Sequence, residues 1–99
     1  MNLPYKVILS KSVGADLRAL YHRALQLGRD EEFLRVLKTI VGHLKDAPLI
    51  FGESRYHLHH LNLEVRIAVV PPLAVSFGVY EEKRLVFVRK VMPVSGHGF

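Results

Sequence analysis

Ninety-nine residues, 49% of them hydrophobic and 23% charged, make one domain with one core and exclude a disordered chain. Fourteen Lys and Arg against nine Asp and Glu leave the chain at +5, a balance suited to an anionic partner such as nucleic acid. The absence of cysteine excludes a disulfide framework, a thiolate nucleophile and a cysteine zinc site.

The apolar runs are strand-sized and broken by charges, which predicts no membrane-spanning helix. Met1-Asn2-Leu3-Pro4-Tyr5 lacks a basic stretch followed by an apolar one, so no secretory signal is read and a cytoplasmic location is expected.

Tyr5 to Ser10 alternates and predicts a first strand. Ser10 or Ser12 can cap the helix that follows, whose apolar positions Val13, Leu17, Leu20, Tyr21, Ala24 and Leu27 recur with a 3.6-residue period. Gly28 stands where a left-handed helix terminus is expected. Asp30 offers the next N-cap, and Glu31 and Glu32 place negative charge in the first turn. The second stripe is Phe33, Leu37, Ile40, Val41 and Leu44, and Pro48 ends it. Two helices so closely joined predict a hairpin.

Strands follow at about Arg55–Leu61, Glu64–Val70, Ala74–Tyr80 and Leu85–Met92, with Asn62 as a turn residue. Pro71-Pro72 cannot donate ladder hydrogen bonds and mark a strand end. Residues from about 94 to 99 read as a mobile tail. The order predicts a single α+β domain over residues 1–99. In it, an N-terminal strand and a two-helix hairpin precede a three- to four-stranded antiparallel sheet, with the helices packed on one face.

This order, in a short basic chain, resembles the RelE/ParE superfamily of small bacterial toxins from toxin–antitoxin pairs. The resemblance runs from about Tyr5 to Pro93. It is carried by YKVILSKSVGADLRAL, LKDAPLIFGE, LEVRIAVVPPLAVSFGVYEEKRLVFV and VRKVMPV. It implies ribosome-dependent mRNA cleavage if the chain is RelE-like, DNA gyrase poisoning if it is ParE-like, and a cognate antitoxin as partner in either case. It also implies a cleavage site of Lys and Arg residues on the concave sheet face, often with a C-terminal Tyr or His. Arg66 matches one of those basic positions. The chain departs from the pattern at Ala68, near Ala74, at Pro93-Val94-Ser95 and at Phe99.

Read without the resemblance, strand alternation puts Glu64, Arg66, Ala68 and Val70 on one face, and Val75, Phe77 and Val79 toward the helices. Glu64, Arg66, Ser76 and Lys90 then become candidates for one outward patch. An acid and two cations could activate a ribose 2′-hydroxyl and stabilise phosphate charge; the same residues also suit a solvated sheet face.

His57 and His59 in one strand would lie about 7 Å apart, a spacing compatible with a metal if Glu53, Glu64 or His97 supplied a third ligand. They could instead act as a general base, contact RNA, or simply form a polar surface. His22 and His43 read as surface residues, and Arg18, Arg23, Arg29 and Arg35 as a basic helical face for phosphates or an acidic antitoxin segment.

As a ribonuclease, the chain would use Arg66 and Lys90 for phosphate charge. Glu64, His57 or His59 would accept the proton, with no cofactor and no metal, because the 2′-hydroxyl serves as nucleophile. The alternative is a non-catalytic binding module of the same fold.

Overall fold

A computed structural model describes residues 3–94. Strand β1 (Lys6–Leu9) leads into α1 (Lys11–Gln26) and α2 (Asp30–Asp46). Strands β2 (Glu53–Leu58), β3 (Leu63–Val70), β4 (Leu73–Tyr80) and β5 (Leu85–Pro93) follow. The five strands form one sheet in the order β1-β5-β4-β3-β2. Among the described residues, no helix is long and apolar enough to cross a membrane.

The α+β reading holds, but the sheet is mixed rather than wholly antiparallel. Strands β2 to β5 pair antiparallel as expected, whereas β1 joins the far edge parallel to β5, with Lys6 opposite Leu85 and Leu9 opposite Val88. Sequence alternation marks β1 as a strand but carries no information on its partner. Backbone bonds from Lys6 N to Arg84 O (2.9 Å) and from Tyr5 N to Lys45 O (2.8 Å) fix its entry.

Ser10 caps α1 through a bond from Val13 N (3.1 Å), satisfying a donor that the first helical turn leaves orphaned. Gly28 adopts φ 67° after the helix end, as the sequence predicts. Leu27 falls outside the apolar stripe, exposed at the helix C-cap. Asp30 begins α2 instead of capping it. Arg29 holds the cap position and pairs with Glu32 at 2.7 Å.

The helices bury Val13, Leu20 and Ala24 of α1 and Phe33, Val36, Ile40 and Leu44 of α2 against Val75, Phe77, Val79, Val86, Val88 and Val91. The helix-facing assignment of Val75, Phe77 and Val79 is therefore correct. Burying a side chain of this size contributes roughly 1.5–3 kcal/mol, so these positions dominate stability. The helices pack on one side of the sheet, and among the described residues no other element covers its second face.

Candidate nucleic-acid interface

Directly opposed residues in an antiparallel pair point to the same face, so register decides which side chains can meet. Arg66 lies opposite the core residue Phe77, Ala68 opposite Val75 and Glu64 opposite Val79. Arg66 and Glu64 therefore point to the helix side, and Arg66 is only 8% exposed. The other face holds the row Glu53, Ile67, Ser76 and Lys90, and beside it the row Tyr56, Val65, Gly78 and Phe87.

The expected patch of Glu64, Arg66, Ser76 and Lys90 does not form. Ser76 and Lys90 are direct partners on the uncovered face, while Glu64 and Arg66 occupy the opposite one. Alternation placed Glu64 and Arg66 together correctly but could not say which face the helices cover. In β3 both alternating sets contain apolar residues, and the set carrying the two charges is the one turned inward.

Arg66 acts there as a clamp. Its Nε donates to Phe51 O (3.1 Å), one terminal nitrogen to Gly52 O (2.9 Å) and the other to a Glu64 carboxylate oxygen (2.8 Å). The fork geometry of the guanidinium suits this triple use. The clamp holds the connection between α2 and β2 against β3. Gly52 has φ 72°, and a Cβ there would collide with Ile67 O and stand 2.7 Å from Ala68 Cα, so only glycine lets the two backbones approach. Phe51 stacks between Phe77 (5.8 Å) and His43 (4.6 Å), so His43 is an exposed residue with a packing role.

The histidine cluster also differs from a strand. Strand β2 ends at Leu58, and His59–Leu61 form a 3-10 turn closed by Asn62 at φ 51°. This turn brings the His57 and His59 rings edge-on at 4.5 Å between centroids, not to the spacing of alternate strand residues. His57 lies opposite Glu64 and lines a small cleft with Leu49, Asn62, Glu64, Val79 and Glu81. Among the described residues no group of three His, Asp or Glu could hold a metal ion. His97 and the tail reading over 95–99 lie outside the described residues.

The uncovered face gathers the cations that sequence reasoning underused. The pairing of β4 with β5 shifts register so that Phe77 opposes Val88 while Ser76 opposes Lys90. Arg89 is the extra residue of this bulge, a device that re-aims a side chain. A second shift between Ser54 and Tyr56 makes Arg55 the extra residue of β2.

Arg89 donates to the Tyr56 hydroxyl at 3.0 Å, although β4 and β3 separate their strands. The two long side chains reach toward each other across the sheet, over the row that contains the side-chain-free Gly78. Tyr56 is 47% exposed and Phe87 37% exposed. Arg55, Arg89 and Lys90 are exposed as well. Aromatic surfaces interleaved with cations on an open sheet face can stack bases and neutralise phosphates. The signal available in the sequence was Arg89-Lys90, two consecutive cations in a strand that should alternate.

No protein-family model matches the sequence, and no curated protein matches it significantly. Solved structures do match. A chain of the toxin–antitoxin complex RelBE2 from Mycobacterium tuberculosis aligns at TM-score 0.68 and 17% identity, over 94% of this chain and 94% of that one. A chain of the archaeal RelE–RelB complex from Pyrococcus horikoshii aligns at TM-score 0.64 and 17% identity, over 93% of this chain and 97% of that one. The fold is that of a small α+β domain with a helical hairpin on one face of its sheet. More particularly, the chain has the RelE-like fold, including the mixed five-stranded sheet.

Proposed function

We propose that the protein is the toxin-like component of a toxin–antitoxin pair and acts on RNA through the uncovered face of its sheet, with a cognate antitoxin as partner and the cytoplasm as site of action. The observation that carries this reading is the Arg89–Tyr56 bridge, with Lys90 and Phe87 on the same face, on a fold matched over more than nine-tenths of the chain by RelE–RelB structures.

Lys90 keeps the phosphate-binding role expected of it, and Arg89 takes the part expected of Arg66. Glu64 and His57 share the opposite face, so a proton acceptor for ribose chemistry beside Lys90 would have to be Glu53 in the same row, or a group on the ribosome. With strands about 4.8 Å apart, Glu53 stands three strands, roughly 14 Å, from Lys90. The absence, among the described residues, of an acid or imidazole next to Lys90 in its row, where its direct partner is Ser76, supports the second reading, a non-catalytic module that binds its target without cutting it; for DNA gyrase as that target, the face offers the same cations.

Controlled expression with mapping of messenger RNA ends separates the readings. Growth arrest with new ends at defined codons supports the ribonuclease, whereas arrest with intact messages supports the binding module. No arrest at all would remove the toxin reading.

A further inference from the structure

A cavity that the proposed function does not use lies on the helix side of the sheet, where β1 forms its edge. It measures about 240 Å3 and is walled by Val7 and Leu9 of β1, Leu17 of α1, Leu37 and Val41 of α2, and valines of the sheet beneath them. Leu9 is 48% exposed, which places it at the mouth. Among the described residues that line the space, only Lys45, in the last turn of α2, has a polar side chain.

Size, walls and charge together select an occupant. An apolar cavity of about 150 Å3 stays dry and takes up benzene, or ~25 Å3 per carbon, so this one holds roughly ten carbons. Its aliphatic walls offer no partner to a peptide amide or a sugar hydroxyl, and burying such a group unpaired is costly. Lys45 is exposed, so its stem lines the wall while its ammonium reaches water at the rim. That ammonium forms no ion pair with another side chain among the described residues. Asp46, next in the chain, lines a different cleft with Tyr5 and Arg84. A lysine at a helix C-terminus suits the helix dipole, but that role needs no cavity beside it.

A protein partner answers these demands poorly. An inserted leucine brings four side-chain carbons and fills about 100 Å3, under half of the space. A longer peptide segment would carry its amides against walls without acceptors. An acidic residue would answer Lys45 and leave the cavity empty. One unbranched molecule, apolar along its length and negative at one end, meets every demand at once.

We infer that this cavity binds a medium-chain anionic amphiphile of about eight to ten carbons, with its hydrocarbon among Val7, Leu17, Leu37 and Val41 and its carboxylate on Lys45. The site lies on the helix side, so filling it leaves Arg89 and Lys90 open. The inference does not depend on what that other face binds.

The test is a titration of the full chain with decanoate, below its micelle concentration, followed by the methyl NMR signals of valine and leucine. Saturable shifts should appear at Val7, Leu17, Leu37 and Val41, and not at Val69, which is exposed on the other face. Affinity should rise from butyrate to decanoate and gain nothing further at tetradecanoate, because the space is then full. Lys45→Gln should weaken decanoate about fivefold, the upper range for an exposed ion pair, and leave decanol unchanged. Val41→Phe places a ring in the cavity and should abolish binding of both, with circular dichroism confirming a folded domain. No saturation by decanoate, affinity that keeps rising with chain length, shifts spread over both faces, or equal decanoate binding by wild type and Lys45→Gln would each overturn the inference.

Discussion

Replacing Arg66 by methionine separates a structural role from a chemical one at the position the family pattern singles out. The side chain is 8% exposed and makes three hydrogen bonds, to Phe51 O, Gly52 O and Glu64. Hydrogen bonds to a charged group are worth roughly 1.5–3 kcal/mol each before compensation. The Glu64 side chain is 29% exposed and regains water when its partner leaves, so the ion pair deserves only the lower part of that range. The two loop carbonyls are also near the surface and recover part of their loss. A net cost of about 3 kcal/mol follows.

For a domain this small that corresponds to a fall in Tm of roughly 12–24 °C. Urea unfolding followed by circular dichroism measures the free-energy loss, and thermal unfolding the fall in Tm. Arg66→Lys should lose somewhat less, because it keeps a cation for Glu64, but it should not match wild type, since an ammonium cannot serve two carbonyls and a carboxylate with one planar fork. Stability within about 0.5 kcal/mol of wild type, together with lost activity, would refute the clamp and return Arg66 to the functional site.

Three further outcomes follow from the same geometry. Gly52→Ala forces a Cβ into the β3 backbone at a positive φ and should cost at least about 2 kcal/mol, read as a lower urea midpoint. Ser10→Ala removes the α1 cap and should cost about 1 kcal/mol, with the loss visible as faster amide exchange in the first turn. Phe77→Ala opens a cavity at a fully buried position in contact with Phe51, so a loss of about 3–5 kcal/mol is expected, accompanied by loosening of the 47–52 connection in hydrogen exchange.

Much of the fold can be read from the chain because its signals are local. Ser10, Gly28 and Asn62 occupy the cap, left-handed and turn positions that their chemistry suits, and Phe33, Ile40 and Leu44 lie on the buried stripe. The parallel partner of β1 is not local: it is chosen by burial across the whole chain, and Lys6 to Leu9 read the same beside any strand. The site was less legible. Arg66 looks like a surface cation in a strand, and only the register with Phe77 reveals that it faces inward. Arg89 and Arg55 break alternation through bulges, which appear in sequence as nothing more than an extra residue. His59 seemed to extend a strand because histidine has no strong preference, and the 3-10 turn follows from where Asn62 reverses the chain.

Binding of a labelled single-stranded RNA, measured by fluorescence anisotropy over a range of salt, tests the central claim most directly. Arg89→Ala with Lys90→Ala should lower affinity and flatten the slope of log K against log salt by about 1.4, at ~0.7 per lost phosphate contact. Glu64→Gln, on the opposite face, should leave affinity and slope unchanged. Equal binding by the double variant and the wild type, or loss of binding on Glu64→Gln alone, would contradict the uncovered sheet face as the place where this chain meets RNA.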